Sequence, residues 1–240
     1  MKRNFFFTLS LLLLFALSSF GQDTVTKKER TTQWYIGAGG NFNSTWIINQ
    51  NNYGEPNLDY KFTPSWAGNI NLGFDFSDYW GFKFEVGYAQ LGQKYDGMQY
   101  NQPANRDIKL TYVLIPIMIK FHAGGETAKF YAMAGPQLGL LLSAKQTYER
   151  NGSPAPPYNS IDVSKEDIKD RYTSAAGFVR LDFGIELTPG KHLLIDIGLS
   201  NAFSITDLNA SGWRYKNEDG DYKISHNYYA GLNIGINYRW

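Results

Sequence analysis

Cysteine is absent from this chain, and so is any long hydrophobic run beyond the first 21 residues. The lack of cysteine excludes a disulfide framework, a thiolate metal site and a cysteine nucleophile. The longest apolar stretch after residue 21 runs from Val113 to Ile119. A transmembrane helix needs about 20 apolar residues, so this stretch is far too short to form one. If the mature chain crosses a membrane, it therefore crosses with strands.

An excess of charge of one sign is also missing. The 240 residues carry 23 basic and 22 acidic side chains. Such a balance gives no electrostatic basis for binding nucleic acid, because a surface that binds nucleic acid concentrates positive charge. The sequence also lacks glycine-rich phosphate loops, zinc-ligand spacings and EF-hand loops. It therefore predicts no nucleic-acid partner, no cofactor and no metal site.

The first 21 residues have the composition of a secretory signal peptide. Lys2 and Arg3 provide a basic start, residues 5–20 provide an apolar core, and small residues precede a predicted cleavage site before Gln22. An uncleaved signal anchor is the alternative, but the polar stretch that follows is not a stop-transfer flank. We therefore expect export by the secretory pathway and removal of the signal peptide.

Aromatic residues and glycine are plentiful, and they occur within segments that alternate between apolar and polar residues. The chain has 17 Tyr, 16 Phe and 24 Gly, yet its mean hydropathy is −0.37. Membrane β-barrels combine these features, because each strand has one apolar and one polar face. Alternation with a period of two, typical of strands, occurs in eight segments: 34–43, 66–76, 80–91, 109–122, 129–146, 177–187, 193–201 and 226–240. Near Pro116 and Pro136 we expect a bulge or a missing hydrogen bond.

The connections between these segments alternate between long and short. The long ones are 45–64, 93–107, 147–173 and 204–225, and the short ones are 77–79, 123–127 and 188–191. Short periplasmic turns, long external loops and an even strand number are typical of outer-membrane barrels. A sheet in hydrocarbon must also close on itself, because unpaired backbone groups are costly there. We predict an all-β fold, an eight-stranded antiparallel transmembrane β-barrel with short periplasmic turns and long extracellular loops.

The predicted domains are a signal peptide at 1–21, a periplasmic N-terminal segment at 22–32 and an outer-membrane β-barrel domain at 33–240. In this fold the apolar face of each strand contacts outer-membrane lipid and the polar face lines the lumen. A lipocalin-like barrel, with its apolar face turned inward around a ligand, gives the same alternation. Strand length and the glycines on the polar face favour the membrane barrel, because a narrow lumen needs small side chains.

The polar face of the predicted strands carries four basic and four acidic residues: Lys83, Glu85, Lys120, Arg180, Asp182, Glu186, Asp196 and Arg239. Unpaired charges are costly in a lumen of low dielectric, so we expect these residues to form a mutually neutralising network. One interpretation is a narrow channel that conducts ions or small solutes. The other is a structural plug, which we favour because an eight-stranded barrel is only wide enough inside for side chains.

Three histidines bear on the alternative of a lipid-modifying enzyme. His122 and His192 lie beside short turns, at the predicted periplasmic rim. His226 follows Ser225 and lies on the lipid-facing side near the external rim, where it could meet outer-leaflet lipid. A nucleophile and its base must share a geometry that spacing alone does not specify. We therefore predict no enzyme and assign no catalytic residue.

Aromatic residues at strand ends and in the external loops indicate two kinds of contact. Those at strand ends are expected to form the interfacial girdle of a barrel: Trp34, Trp66, Trp80, Tyr238 and Trp240. The external loops, which contain Trp46 and Trp213, are the surfaces that we expect to contact an envelope protein or a glycan, since exposed aromatics are common at binding sites. The sequence leaves open whether these two tryptophans belong to the girdle.

The last eight residues resemble the C-terminal signal of outer-membrane barrels. They combine Asn233 and Gly235 with aromatic residues at alternate positions, Tyr238 and Trp240. The resemblance implies recognition by the barrel-assembly machinery during biogenesis.

A second resemblance covers nearly the whole mature chain. The segments Gly37–Asn43, Tyr112–Lys120 and Tyr131–Pro136 look like the PorT-like barrel proteins common in Bacteroidetes. This resemblance implies an eight-stranded outer-membrane barrel, and the founding member of that group is associated with a protein secretion and gliding system. We therefore expect a non-enzymatic protein with a structural, adhesion, envelope-assembly or secretion-associated role.

Overall fold

The computed structural model describes residues 32–49, 58–99, 101–152, 160–216 and 220–240. The predicted signal peptide and its cleavage site lie outside these ranges. Within them, no helix is both long and apolar enough to cross a membrane.

Ten strands and two single-turn 3₁₀ helices make up the described part of the chain. The strands are β1 (Gln33–Ile48), β2 (Leu58–Lys61), β3 (Pro64–Asp75), β4 (Trp80–Gln99), β5 (Gln102–Gly124), β6 (Ala128–Arg150), β7 (Ile161–Asp167), β8 (Ala175–Leu187), β9 (Leu193–Ser204) and β10 (His226–Arg239). The 3₁₀ helices are Lys169–Arg171 and Ser211–Trp213.

Eight of these strands close into an antiparallel ring. Their order is β1–β3–β4–β5–β6–β8–β9–β10 and back to β1. The first and last strands close the ring by pairing from Tyr35 opposite Arg239 to Ile48 opposite His226. Strand β2 pairs with β4, and β7 pairs with β6. The predicted eight-stranded antiparallel barrel is therefore confirmed.

The two faces of the ring strands differ as a membrane requires. On β8, Leu181 is 52% exposed and Phe183 44%, whereas their neighbours Arg180 and Asp182 are 4% and 2% exposed. The same alternation of exposed apolar and buried polar residues recurs along β1, β3, β9 and β10. The lipocalin-like alternative is wrong, because the apolar side chains face outward and the charges face inward.

Three neighbouring strands are much longer than the sequence pattern indicated. Strand β4 has 20 residues, and β5 and β6 have 23 each. The predicted long loop 93–107 is wrong, because β4 and β5 continue to pair from Gly92–Lys109 to Gln99–Gln102. This part of the sheet lies beyond the apolar band. No apolar outer face is needed there, so the alternation that marks the other strands is lost.

The predicted loop 147–173 also contains regular structure. Residues Ile161–Asp167 form β7, which pairs with β6. Lys165 has a left-handed backbone, with φ of 54°, at the point where this pairing is irregular. The long connection predicted at 204–225 is confirmed, since it joins the end of β9 to the start of β10.

The ladder is interrupted at Pro116, as predicted. Pairing between β4 and β5 stops at Ile117 and resumes at Leu114. On the other side, pairing between β5 and β6 stops at Pro116 and resumes at Ile119, which leaves Pro136 outside the register. Proline lacks the N–H that a ladder requires, and two such residues on neighbouring strands open the same gap.

The predicted girdle residues lie on the outer surface, between 40% and 56% exposed: Trp34, Trp66, Trp80, Tyr238 and Trp240. Aromatic contacts occur near both ends of β3, where Trp34 lies 4.9 Å from Phe74 and Trp66 lies 5.6 Å from Tyr88, measured between ring centroids. Trp46, which the sequence left open, stacks on Tyr228 at 5.3 Å. It therefore extends the girdle on the external side of the barrel.

One glycine of the lumen makes room for a tyrosine. A Cβ atom at Gly73 would overlap the phenol ring of Tyr35, and the Lys120 ammonium lies 4.6 Å from the centre of that ring. We expect Gly73→Ala to lower the free energy of unfolding by about 1–3 kcal/mol, because the ring has to move against a packed lumen. Urea unfolding in phospholipid vesicles, followed by tryptophan fluorescence, measures this loss.

The control is Gly190→Ala in a periplasmic turn, where an added Cβ meets no heavy atom within 4 Å. Equal unfolding midpoints for the two variants would contradict this account of Gly73.

Candidate functional site

The lumen holds a set of buried charges that we call the charged network. It consists of Asp75, Lys83, Glu85, Lys120, His122, Arg180, Asp182, Glu186 and Asp196, all of which are less than 9% exposed. These residues come from β3, β4, β5, β8 and β9, so the network links strands across the whole barrel. Each occupies an inward position of the two-residue repeat of its strand.

Arg180 is the centre of the upper part of the network. Its Nη1 donates to Glu85 Oε2 at 2.7 Å, while Nε and Nη2 donate to the two oxygens of Asp182 at 3.0 and 2.7 Å. Lys83 Nζ lies 3.3 Å from Glu85 Oε1 and 3.2 Å from Asp196 Oδ2. Paired, forked contacts of this kind hold an arginine in one orientation.

Lys120 is the centre of the lower part, nearer the periplasmic turns. Its Nζ lies 2.8 Å from Asp75 Oδ1 and 2.8 Å from Glu186 Oε1. His122 Nδ1 lies 3.1 Å from Glu186 Oε2. His122 is only 2% exposed, so it is an interior member of the network and the predicted position at the rim is wrong.

The predicted membership of the network needs one further correction. Arg239 lies at the end of β10, where its Nη2 donates to the backbone oxygen of Lys191 at 3.4 Å. It is partly exposed and lies outside the charged network, because the alternation that placed it inward continues past the end of the lumen. We did not predict Asp75 as a member of the network, although its position in the segment 66–76 already put it on the polar face.

These changes alter the charge balance that the sequence predicted. The charged network contains five carboxylates and three lysine or arginine side chains, together with the imidazole of His122. Neutral donors reach some of the excess carboxylate oxygens, and Asn237 Nδ2 donates to Asp196 Oδ2 at 3.1 Å. The network is therefore cross-linked by hydrogen bonds as well as by ion pairs.

Little space is left above the charged network. A cavity with about 20 Å³ for the centre of a water molecule is lined in part by Asn41, Asn43, Glu85, Arg180 and Tyr229. This is room for about one water molecule. This cavity has no room for a continuous column of water.

The external half of the lumen is filled by apolar side chains, which we call the external core. It includes Ile47, Leu91, Ile108, Leu110, Tyr112, Leu141, Phe178, Ile168 and Leu208. The last two come from the connections β7–β8 and β9–β10, so external loops contribute to the filling of the barrel. Apolar residues on both faces of the segment 109–122 were the sequence signal for this core.

Asp207 ties the β9–β10 connection down over the external core. Its carboxylate accepts hydrogen bonds from the Tyr222 hydroxyl at 2.7 Å and from the backbone N–H groups of Asn209 and Ser225 at 3.1 and 3.2 Å. Arg214 Nε lies 2.9 Å from the same carboxylate. Burial raises the pKa of Tyr222 to about 12. The hydrogen bond from Asn209 lowers this pKa, and the contact with Asp207 raises it further. The tyrosine therefore keeps its proton and its role as a donor at neutral pH.

The arrangement around His226 does not form a nucleophile–base pair. Its Nδ1 faces the backbone oxygen of Ser204 at 2.7 Å, and its ring stacks on Phe203 at 4.7 Å. The Ser225 hydroxyl donates to the backbone oxygen of Asn49 at 2.8 Å. Both side chains are thus used in holding the external rim together. His192 stacks on Tyr238 at the opposite, periplasmic end of β10.

A closed sheet with an apolar, aromatic-rimmed outside and a charged, filled inside defines an integral membrane β-barrel. The family described as "Outer membrane protein beta-barrel domain" matches residues 20–210 of the chain. The chain therefore belongs to this family of outer-membrane barrel proteins.

Several solved structures are similar to the chain at low sequence identity. Neisserial surface protein A is 14% identical, with a TM-score of 0.46, and the match covers 85% of this chain and 96% of that one. OprG from Pseudomonas aeruginosa is 10% identical, with a TM-score of 0.44 and coverage of 88% and 97%. Ail, the attachment invasion locus protein of Yersinia pestis, is 14% identical, with a TM-score of 0.40 and coverage of 87% and 98%. No curated protein matches the chain.

Removal of the central arginine tests the network directly. We expect Arg180→Met to lower the free energy of unfolding by about 3–5 kcal/mol, because it leaves two buried carboxylates without their main partner. The matched control is Arg239→Met at the rim, where loss of an exposed contact changes stability by less than about 1 kcal/mol. Urea unfolding in phospholipid vesicles measures both variants, and similar losses for the two would contradict the interior assignment.

Proposed function

We propose that this outer-membrane barrel is a filled, non-enzymatic anchor that presents a rigid surface outside the cell for adhesion or envelope assembly. The observation that carries the proposal is the packing of the lumen. The charged network occupies its lower half and the external core its upper half. A barrel filled in this way is suited to holding other parts in place.

The part it holds is the external sheet, formed by β2, the outer halves of β4, β5 and β6, and β7. A strand crosses the bilayer with about 9–11 residues, so about half of the 23 residues in each of β5 and β6 extend beyond it. In this region β4 and β5 pair without a break from Gly87–Leu114 to Gln99–Gln102, and β5 and β6 pair as far as Ala104–Arg150 with one bulge at Thr111. The extension is therefore a rigid platform, which favours a role in contacting an envelope protein or a glycan.

Three further proposals concern the family group, the signal peptide and the last strand of the chain. We propose that the chain is a PorT-like barrel, on the basis of Tyr112–Lys120 and Tyr131–Pro136, and that its signal peptide is removed before Gln22. We also propose that Asn233, Gly235, Tyr238 and Trp240 form the signal that the barrel-assembly machinery reads. In β10 the first two face the lumen and Tyr238 faces outward, an alternation suited to recognition of one strand edge.

Single-channel recording in planar lipid bilayers tests the filled lumen. We expect the pure protein to give no steady, resolvable openings, because the cavity above the charged network admits only about one water molecule. A variant in which residues 206–224 are replaced by a short glycine–serine linker should also stay closed, since the charged network still blocks the lower half.

Steady openings in the unaltered protein would contradict the proposal and support a channel. Openings in the shortened variant alone would assign the block to the external core.

The enzyme alternative has its own test. We expect His226→Ala to leave the lipid species of the outer membrane unchanged, because the imidazole is held by Ser204 and Phe203 and is not paired with Ser225. Mass spectrometry of lipids from cells that express either form is the measurement. A lipid species that disappears with the histidine would contradict a non-enzymatic role.

A further inference from the structure

Two lysines lie directly opposite each other on the outer face of the barrel. Lys109 on β5 pairs in register with Lys145 on β6, and both side chains are exposed. Like charges at directly opposed positions destabilise an antiparallel pair. Lys109 Nζ lies 3.5 Å from Asp107 Oδ2. Among the residues that the structure describes, no carboxylate oxygen lies within 4.0 Å of Lys145 Nζ.

The depth of this lysine pair coincides with lipid headgroups. Lys109 lies twelve residues from Phe121, the aromatic residue that packs against Trp80 at the periplasmic boundary. At about 3.3 Å per residue and a strand tilt of about 40°, this is about 30 Å along the barrel axis. The apolar band of an outer-membrane barrel is about 25 Å tall. The ammonium groups therefore stand just above the hydrocarbon, at the level of phosphates.

The residues below the lysines change from apolar to hydroxyl-bearing. Leu140 and Leu142 are exposed on the lipid-facing side of β6. Next above them, Thr111 pairs with Ser143, and the register shifts between β5 and β6 at this point. The bulge turns consecutive residues, Leu142 and Ser143, toward the same face. From the membrane outward, this surface therefore presents leucine side chains, then hydroxyl groups, then ammonium groups. The same direction leads from the acyl chains to the phosphate of a phosphorylated lipid.

Negative charges lie beside the lysine pair and farther from the membrane. Asp167 on β7 pairs in register with Lys145, and its Oδ1 accepts a hydrogen bond from the backbone N–H of Lys169 at 2.9 Å. Asp107 is the next outward-facing residue after Lys109, and Glu149 on β6 lies two outward-facing positions beyond Lys145. On β2 and β4, Lys61 and Asp96 form an ion pair of 2.6 Å. An anion that approaches from the bilayer therefore reaches the lysines before it meets Asp107, Glu149 or Asp96, and it meets Asp167 at the level of Lys145.

We propose that Lys109 and Lys145, with Thr111 and Ser143, bind a phosphate group of an outer-leaflet glycolipid whose acyl chains lie against Leu140 and Leu142. The phosphate relieves the repulsion between the two ammonium groups and accepts charge-assisted hydrogen bonds from both. Lipid bound there would hold the base of the external sheet at a fixed height in the membrane.

Lipid retention measures this site. The protein is placed in phosphatidylcholine nanodiscs that contain bisphosphorylated lipid A, and native mass spectrometry counts the lipid A molecules that stay bound. We expect Lys109→Gln with Lys145→Gln to reduce retention by about tenfold or more, because two charged hydrogen bonds are lost. The control, Lys129→Gln with Lys191→Gln, removes the same charge from the periplasmic end and should retain as much lipid as the unaltered protein.

A charge exchange separates binding from folding. Lys145→Glu makes an opposite-charge pair with Lys109 and a like-charge pair with Asp167. These two effects oppose each other, so the urea midpoint in plain phosphatidylcholine should change little, while lipid A retention is lost. Equal retention by the double variant would overturn the proposal, as would equal binding of dephosphorylated lipid A. Displacement of lipid A by inorganic phosphate alone would overturn the assignment to a lipid.

Discussion

Backbone pairing in hydrocarbon is the constraint on which the rest of this structure depends. Unpaired N–H and C=O groups are too costly within a bilayer, so the sheet closes through β1 and β10 and leaves no edge in the membrane. Closure gives each strand one lipid-facing and one lumen-facing side. The period of two in the sequence then decides which side chains meet acyl chains and which are shut inside. Apolar residues are consequently exposed and charged residues buried, the reverse of a water-surrounded domain.

A lumen that contains charge has to satisfy it internally. Arg180 and Lys120 each bridge two carboxylates from different strands, so the same contacts that neutralise charge also tie the barrel wall together. Toward the outside, the filling changes to apolar side chains and takes in Ile168 and Leu208 from external connections. Side chains therefore pack in both halves of the lumen, and this packing is the basis of the proposed holding role.

Much of this arrangement follows from the sequence, and the exceptions have physical reasons. Eight alternating segments were enough for the ring and for the interior position of Arg180, Asp182 and Glu186, because the membrane imposes a strict division of faces. Beyond the membrane that division ends, so the outer part of β4 and the whole of β7 were mistaken for parts of loops. The position of Arg239 was wrong because alternation alone does not mark where the lumen stops. Partners across the barrel, such as Glu85 with Arg180, depend on register and ring closure.

The apolar face of the ring meets acyl chains, while the opposite face is shut inside a filled lumen. The chain has no cysteine, so single cysteines at Leu181 and at Ser200 can carry spin labels without competing sites. In lipid vesicles the label at position 181 should collide with oxygen far more often than with a water-soluble nickel chelate. The label at position 200 should be immobile and meet neither. Ready access of the nickel chelate to position 181, with oxygen excluded, would contradict the account.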